Sequence, residues 1–352
     1  TLTSVNIHTL GNSVYFGDST NSNWALAGSG CDGKRGVFAG GLPDSSHYNT
    51  IEYITMSSSG NAINFGDLSN AAGRDSGGGC SSSTRALFTG SLFRTPTNTS
   101  SDIIDYVEIQ TTGNALDFGD LKPDSSCNGN GFSSPTRGFF QGGGFPSNSP
   151  TIKVVTIASK GDAVKFGEMS SERSYPGGAS NSTRGLISGG FISPAGLKSI
   201  DYITMTSEGS TINFGDLTQG RHSPAGASTQ TRIIFSGGYT GPSSTTDVNT
   251  IDYVTISTQG NAADFGDFSQ ALHWNASACN AVRGLTMGES PTSNIVEFVT
   301  IATLGNAKDF GDLSVPRRGG YGASSRTRAV LISGYNDPAY VSTIDYAQIM
   351  ST

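Results

Sequence analysis

The tripeptide Phe-Gly-Asp begins at Phe16, Phe65, Phe118, Phe214, Phe265 and Phe310, and Phe166-Gly167-Glu168 is a seventh copy. Successive phenylalanines stand 49, 53, 48, 48, 51 and 45 residues apart. A second marker, an Arg opening an apolar run, recurs in step at Arg35, Arg85, Arg137, Arg184, Arg232, Arg283 and Arg328. Such a period means one supersecondary unit used seven times. It overrides the two or three domains that 352 residues would otherwise suggest.

Residues 221–268 show the unit most clearly. A small-residue stretch (Ser223–Ser228) turns into Thr231-Arg-Ile-Ile-Phe-Ser-Gly-Gly238, and Thr250-Ile-Asp-Tyr-Val-Thr-Ile256 follows after a loop. A Gly260-Asn261 turn then leads into Ala262-Ala-Asp-Phe-Gly-Asp267. β-Branched and aromatic residues bounded by turn residues read as four short strands, A to D. Gly-Asn supplies the positive φ angles of a tight C–D hairpin. Strand C is apolar on both faces, Ile251 and Tyr253 on one and Val254 and Ile256 on the other, so it needs a sheet against each face. The blade of a β-propeller meets that need.

The ends of the chain complement each other. Ser13–Asp18 is a strand D without A or B before it, whereas the C-terminal region has A, B and C (Thr343–Ile349) and no D. The expected fold is therefore an all-β, seven-bladed propeller of four-stranded antiparallel blades, one domain over residues 1–352, closed by its N-terminal strand. Leu2–Ile7 also aligns with strand C but lacks the acidic-aromatic pair. It reads as an extra strand or lead-in within residues 1–10, although its intact Gly11-Asn12 turn leaves open that it serves the closing blade instead. The first residue is Thr, which suggests a processed product or an excerpt.

Gly-Gly pairs after strand B (Gly40-Gly41, Gly142-Gly143, Gly189-Gly190, Gly237-Gly238) precede an acidic-aromatic strand C, as in Asp201-Tyr202 and Asp252-Tyr253. An Arg often follows strand D (Arg74, Arg173, Arg221, Arg317). In these features the chain resembles kelch repeats, with the Phe of Phe-Gly-Asp where kelch blades usually carry Trp. The longer unit, Ile251–Asp267 followed one blade later by Thr327-Arg328, resembles repeats in structural proteins of marine bacteriophages. That resemblance implies a virion setting with host contact and assigns no residue roles.

Charged residues are 14 %, and net charge is −7, which excludes a basic nucleic-acid footprint. No apolar run is long enough to span a bilayer, so no membrane insertion is expected. Residues 1–15 lack the basic start and apolar stretch of a secretion signal. Low charge with many hydroxyls and amides suits work outside the cytoplasm, on a virion surface or extracellularly.

Residues present in every blade are expected to serve blade geometry. The acids Asp18, Asp67, Asp120, Glu168, Asp216, Asp267 and Asp312 could make charge-assisted hydrogen bonds with the strand-B arginines. An ion-binding ring is the rival reading, disfavoured because lone carboxylates make poor Ca²⁺ sites. Cys31, Cys80 and Cys279 read as occupants of the strand-A packing position held elsewhere by Phe132, Ala179, Ala227 and Ala323, and Cys127 as a D–A loop residue. No metal-ligand spacing occurs, no disulfide is expected, and neither metal nor cofactor is implied. The histidines, His8, His47, His222 and His273, read as unrelated repeat positions without a catalytic triad.

Specificity must come from what differs between blades. The A–B and C–D turns are short and uniform, whereas the D–A and B–C loops of the other face vary. They carry Trp24, Tyr48, Phe93, Arg94, Phe145, Phe191, Tyr239, Trp274, Tyr335 and Tyr340. Aromatics among small polar residues suit stacking on a sugar or docking on a protein, but equally suit plugging loops onto the blades. The expected function is a non-enzymatic virion component contacting a host surface glycan or another structural protein. The rivals are a cellular or secreted interaction module and an enzyme using the central channel.

Overall fold

A computed structural model describes residues 11–23, 26–42, 47–70, 77–89, 92–93, 99–121, 131–141, 148–241, 246–273, 276–288 and 292–349, with backbone alone at 92–93 and 99–100. They form seven four-stranded antiparallel sheets. Blades 1 to 6 occupy residues 28–67, 79–120, 132–173, 177–216, 225–272 and 276–317, each in the order A-B-C-D. Blade 7 takes A from Tyr321–Ser324, B from Arg328–Ile332, C from Thr343–Gln348 and D from Val14–Asp18. Strand A of each blade lies beside strand A of the next, and that of blade 7 beside that of blade 1, so the ring closes. The C-terminal region thus supplies strand C of the closing blade. Leu2–Ile7 lies outside the described residues.

The core is divided into seven apolar clusters, one at each blade junction. The closing cluster joins Phe16, Val330, Ile332 and Ile344 of blade 7 to Phe38, Ile54 and Met56 of blade 1. Burial on both faces of strand C, read from its apolar composition, is satisfied in this way.

Phe-Gly-Asp performs one local task seven times. The Phe falls at a β-bulge, as where Ile251 faces Gly266 but Asp252 already faces Asp264. In six blades its ring stands edge-on to the strand-C aromatic, as for Phe265 and Tyr253, whose centroids are 6.0 Å apart, and in blade 3 Phe166 stands edge-on to Phe139 of strand B. The Gly lies against the C–D turn of the following blade. A Cβ on Gly66 would meet the Gly113 carbonyl oxygen at 2.3 Å, and its φ of 154° favours Gly independently.

The same contact clasps adjacent blades. The N–H of Gly60 donates to the Phe16 carbonyl (2.7 Å), that of Ala62 to the Asp18 carbonyl (2.8 Å), and that of Asp18 to the Asn61 side chain (3.1 Å). The set repeats at every junction, with Asp162 and Ser210 as variant caps. At ring closure, Asn12 caps the Asp312 N–H.

The expected acid–arginine pairing is replaced by another arrangement. The repeated acids contribute their backbone to the clasp, while the arginines reach the following blade. Arg35, Arg85, Arg137, Arg184, Arg232 and Arg328 each donate to a carbonyl just beyond strand C there, as Arg232 does to Ile301 (2.9 Å). Most also cover the strand-C aromatic of their own blade, as Arg35 covers Tyr53 at 4.5 Å and Arg283 covers Phe298 at 4.7 Å. The weak hydration of guanidinium and its planarity permit both contacts at once.

The cysteines belong to two positions rather than one. Cys80 is a packing residue, equivalent to Ala179, Ala227 and Phe132. Cys31 and Cys279 lie one residue further along, pairing with Gly36 and Gly284 as Ser81 pairs with Ala86. Their thiols lie at blade junctions, beside the apolar clusters and within reach of the Ser324 and Ser228 carbonyls of the preceding blades. None of the three is disulfide-bonded among the described residues, and Cys127 lies outside them.

Candidate functional site

Seven antiparallel blades put the A–B and C–D turns on one face and the D–A and B–C loops on the other. The first face is consumed by its own geometry. In each A–B turn a side-chain oxygen accepts from the N–H opening strand B: Asp32 from Arg35, Ser134 from Arg137, Asn181 from Arg184, Ser325 from Arg328. Along strand A, Ser81, Ser133, Ser180 and Ser228 each hydrogen-bond the equivalent carbonyl of the preceding blade. Cys279, Ser324 and Cys31 complete this ring, Cys31 reaching the Ser324 carbonyl at 3.4 Å. Burial pushes the Cys31 thiol up to about 11, so it acts as a neutral donor. Cys31, Ser81, Ser133 and Ser180 of this ring, with Asp32 and Gln230, line a polar cavity of about 440 Å³.

Toward the loop face, buried ion pairs join adjacent blades. Arg173 and Arg317, at the end of strand D, and Arg221, just past it, reach the strand-C acids Asp201, Asp345 and Asp252 at 2.6, 2.6 and 2.8 Å, with every side chain fully buried. Burial lowers the Arg317 pKa to about 10, against the opposing pull of Asp345. The Gly-Gly pair makes room for this Arg, since a Cβ on Gly190 would meet Arg173 Cδ at 2.8 Å. Arg74 lies outside the described residues. Blades 1 and 6 lack the arginine, with Asn23 and Leu272 at its place, and there the acid is Glu rather than Asp. The longer Glu52 accepts from the Thr20 N–H at 2.6 Å and from the Thr20 hydroxyl, and Glu297 accepts from the Ser269 N–H at 3.1 Å. Burial pushes Glu52 up to about 7 and raises Glu297.

The next residue outward varies around the ring: Ser174, His222, His273 and Arg318 each stand eight residues after the Phe of the repeat. His222 and His273 thus occupy one repeat position, correcting the reading of unrelated histidines. Backbone bridges tie Ser174 to Phe191, His222 to Tyr239 and Arg318 to Tyr335. The Tyr239 ring lies between two imidazoles, its centroid 5.0 Å from His222 and 3.9 Å from His273. Phe191 meets His222 edge-on at 5.2 Å, with Tyr175 beyond it at 6.4 Å. His273 Nδ1 lies 2.9 Å from Asp247 Oδ1. Burial lowers both histidine pKa values, helped by His273 for His222 and by Arg318 for His273, with Asp247 opposing at His273. Arg318 covers the Tyr335 ring at 5.4 Å, and Tyr335 packs on Tyr340 at 5.2 Å.

Of the loop aromatics named from sequence, Phe191, Tyr239, Tyr335 and Tyr340 belong to this band. Tyr239 is buried within the stack, so it supports the band rather than standing free as an anchor. Tyr48 is half-buried, its N–H donating across its loop to the Gly41 carbonyl at 2.9 Å. Trp24, Arg94, Phe145 and Trp274 lie outside the described residues, as does the side chain of Phe93. His222, Asp247, His273 and Arg318 are the site residues that reading for aromatics alone missed. Counting from the repeated Phe would have aligned His222 with His273. No protein-family model matches the chain, and no curated protein matches it.

Proposed function

We propose that this propeller is a non-enzymatic binding protein that meets its partner through the D–A/B–C loop face. The carrying observation is the contrast between the faces. On the turn face, repeated side chains are spent on caps, clasps and a closed ring. On the loop face, the bridged pairs Ser174–Phe191, His222–Tyr239 and Arg318–Tyr335 differ from blade to blade, and the half-exposed Tyr340 and exposed Tyr175 stand where other blades have Gly196 and Ser223. A surface must depart from seven-fold repetition to recognise one ligand, and aromatic and Arg side chains supply most anchors of such contacts. The resemblance of the repeat unit to phage structural proteins supports a virion setting on a tail or capsid surface. The partner is then a host glycan or another virion protein.

The test substitutes Phe191, Tyr335 and Tyr340 singly with Ala, confirms folding, and measures attachment to host cells or retention on purified particles. An anchor worth about 2 kcal/mol weakens binding about 30-fold. Controls are Glu208→Ala and Leu304→Ala, both exposed in C–D turns. Asn61, Asn114 and Asn261 are unsuitable controls because they cap the interblade clasp. Loss of binding in the controls alone would place the functional face on the turn side.

A further inference from the structure

The aromatic band contains an arrangement that packing alone does not explain. His222 is 5 % exposed, and among the described residues its Nε2 is buried without a hydrogen-bond partner. Its Nδ1 lies 3.4 Å from the Ser223 hydroxyl. A neutral imidazole can leave one nitrogen as an unused acceptor at modest cost. An imidazolium there would have a buried N–H and a full charge without an acceptor, which costs far more.

The neighbours sharpen this difference. From the segment after blade 5 comes His273, and from the segment after blade 6 comes Arg318, whose positive charge acts on both His273 and Tyr239. The blade-5 loop supplies Tyr239, a neutral phenol held up by burial, and Asp247, within 2.9 Å of His273. The blade-7 hairpin supplies Tyr335 and Tyr340. The Tyr335 hydroxyl donates to Asp337 at 3.1 Å. Phe191 and Tyr175 close the far side without charge. With both imidazoles protonated, three cations would share the band, with Asp247 against His273 and Asp337 against Tyr335 as the carboxylates touching it. One proton on His273 is compensated by Asp247, but a second on His222 is not.

We propose that the His222–Tyr239–His273 stack is an acid-sensitive latch: protonation of both imidazoles drives it apart and rearranges the loop face. This rests on the proposed binding role of that face, whose regulation it would be. The folded-state pKa values of both histidines lie below the ordinary value. The latch therefore contributes fully above pH about 6.5 and is lost as pH falls through the folded-state values. Stacking depends on the rings, whereas opening depends on charge. A ring that cannot be protonated at position 222 should therefore stay shut.

The test is amide hydrogen exchange between pH 8 and pH 5, corrected for intrinsic rates, on the intact chain. The reporters are His222 and Tyr239, which bond each other across the bridge, and Val248, which bonds the Gly238 carbonyl. Their exchange is expected to accelerate at least ten-fold at pH 5, while the clasp amides of Gly260 and Ala262 keep their protection. His222→Phe should abolish the acceleration, and His222→Gln, without the aromatic ring, guards against a packing artefact by removing the same pH dependence. Acceleration surviving both substitutions, absence of acceleration, or equal acceleration of the clasp amides would each overturn the latch. None of these readouts needs a ligand. If the latch fails while Phe191→Ala still abolishes attachment, the binding reading stands; if attachment is indifferent to Phe191, Tyr335 and Tyr340, that reading falls and the latch is judged separately.

Discussion

Phe16 sits on the strand that closes the ring, and its replacement measures how much that closure contributes. Its ring is 2 % exposed, packed edge-on against Tyr346 at 5.8 Å and 81°. Phe214 has the same role within a continuous blade, 2 % exposed and edge-on to Tyr202 at 5.8 Å and 85°. Truncating a buried Phe to Ala typically costs about 3–5 kcal/mol through lost transfer energy and the cavity left behind. If the N-terminal strand is held as firmly as an internal strand D, both substitutions should fall in that range. Urea unfolding followed by tyrosine fluorescence and circular dichroism would measure both. A cost below about 1 kcal/mol for Phe16→Ala, beside about 3 or more for Phe214→Ala, would refute closure by this strand under native conditions. Deleting residues 1–18 should go further, leaving Tyr346, Ile344 and the blade 7–blade 1 cluster open to water, with insolubility or lost cooperativity as the outcome.

Glu52 should make stability depend on pH in the opposite sense to the histidines. Its folded pKa, about 7, lies above its ordinary value of 4.5. Its contribution is therefore complete below pH about 4.5 and lost as pH rises through about 7, a loss of roughly 3 kcal/mol at about 1.4 kcal/mol per pH unit. Glu52→Gln should match the wild type near pH 4.5 and exceed it at pH 8 in urea midpoint, and parallel curves would sink the idea. A Cβ on Gly138 would lie 2.4 Å from Cys80 Sγ, whereas at the preceding junction Gly30 accommodates Ala86. Gly138→Ala should therefore lower the melting temperature, and adding Cys80→Gly should recover most of the loss. Additive losses would show that the pair is not coupled.

The repeat by itself determined the architecture, because seven copies of one bulge-forming tripeptide, each preceded by a Gly-Asn-type turn, specify blades of one kind. Complementary pieces at the two termini specified a ring. β-Propensity and turn chemistry act within a few residues, which is why they are legible in a single repeat. The partners of the repeated side chains depended on the tertiary structure. Arg232 and Asp267 look like a salt-bridge pair along the sequence, yet Arg232 donates to Ile301 in the next blade while Asp267 holds the clasp through its backbone. Blade twist and the register between neighbours decide such contacts, and neither is written in a single repeat. The loop face shows the same division. Its aromatics were legible as departures from the repeat. That Tyr239 would be buried between two histidines from different interblade segments, with Asp247 and Arg318 beside them, followed only once the ring had brought loops of several blades together. Charge and desolvation act through space, so the chemistry of that cluster exists only in the assembled propeller.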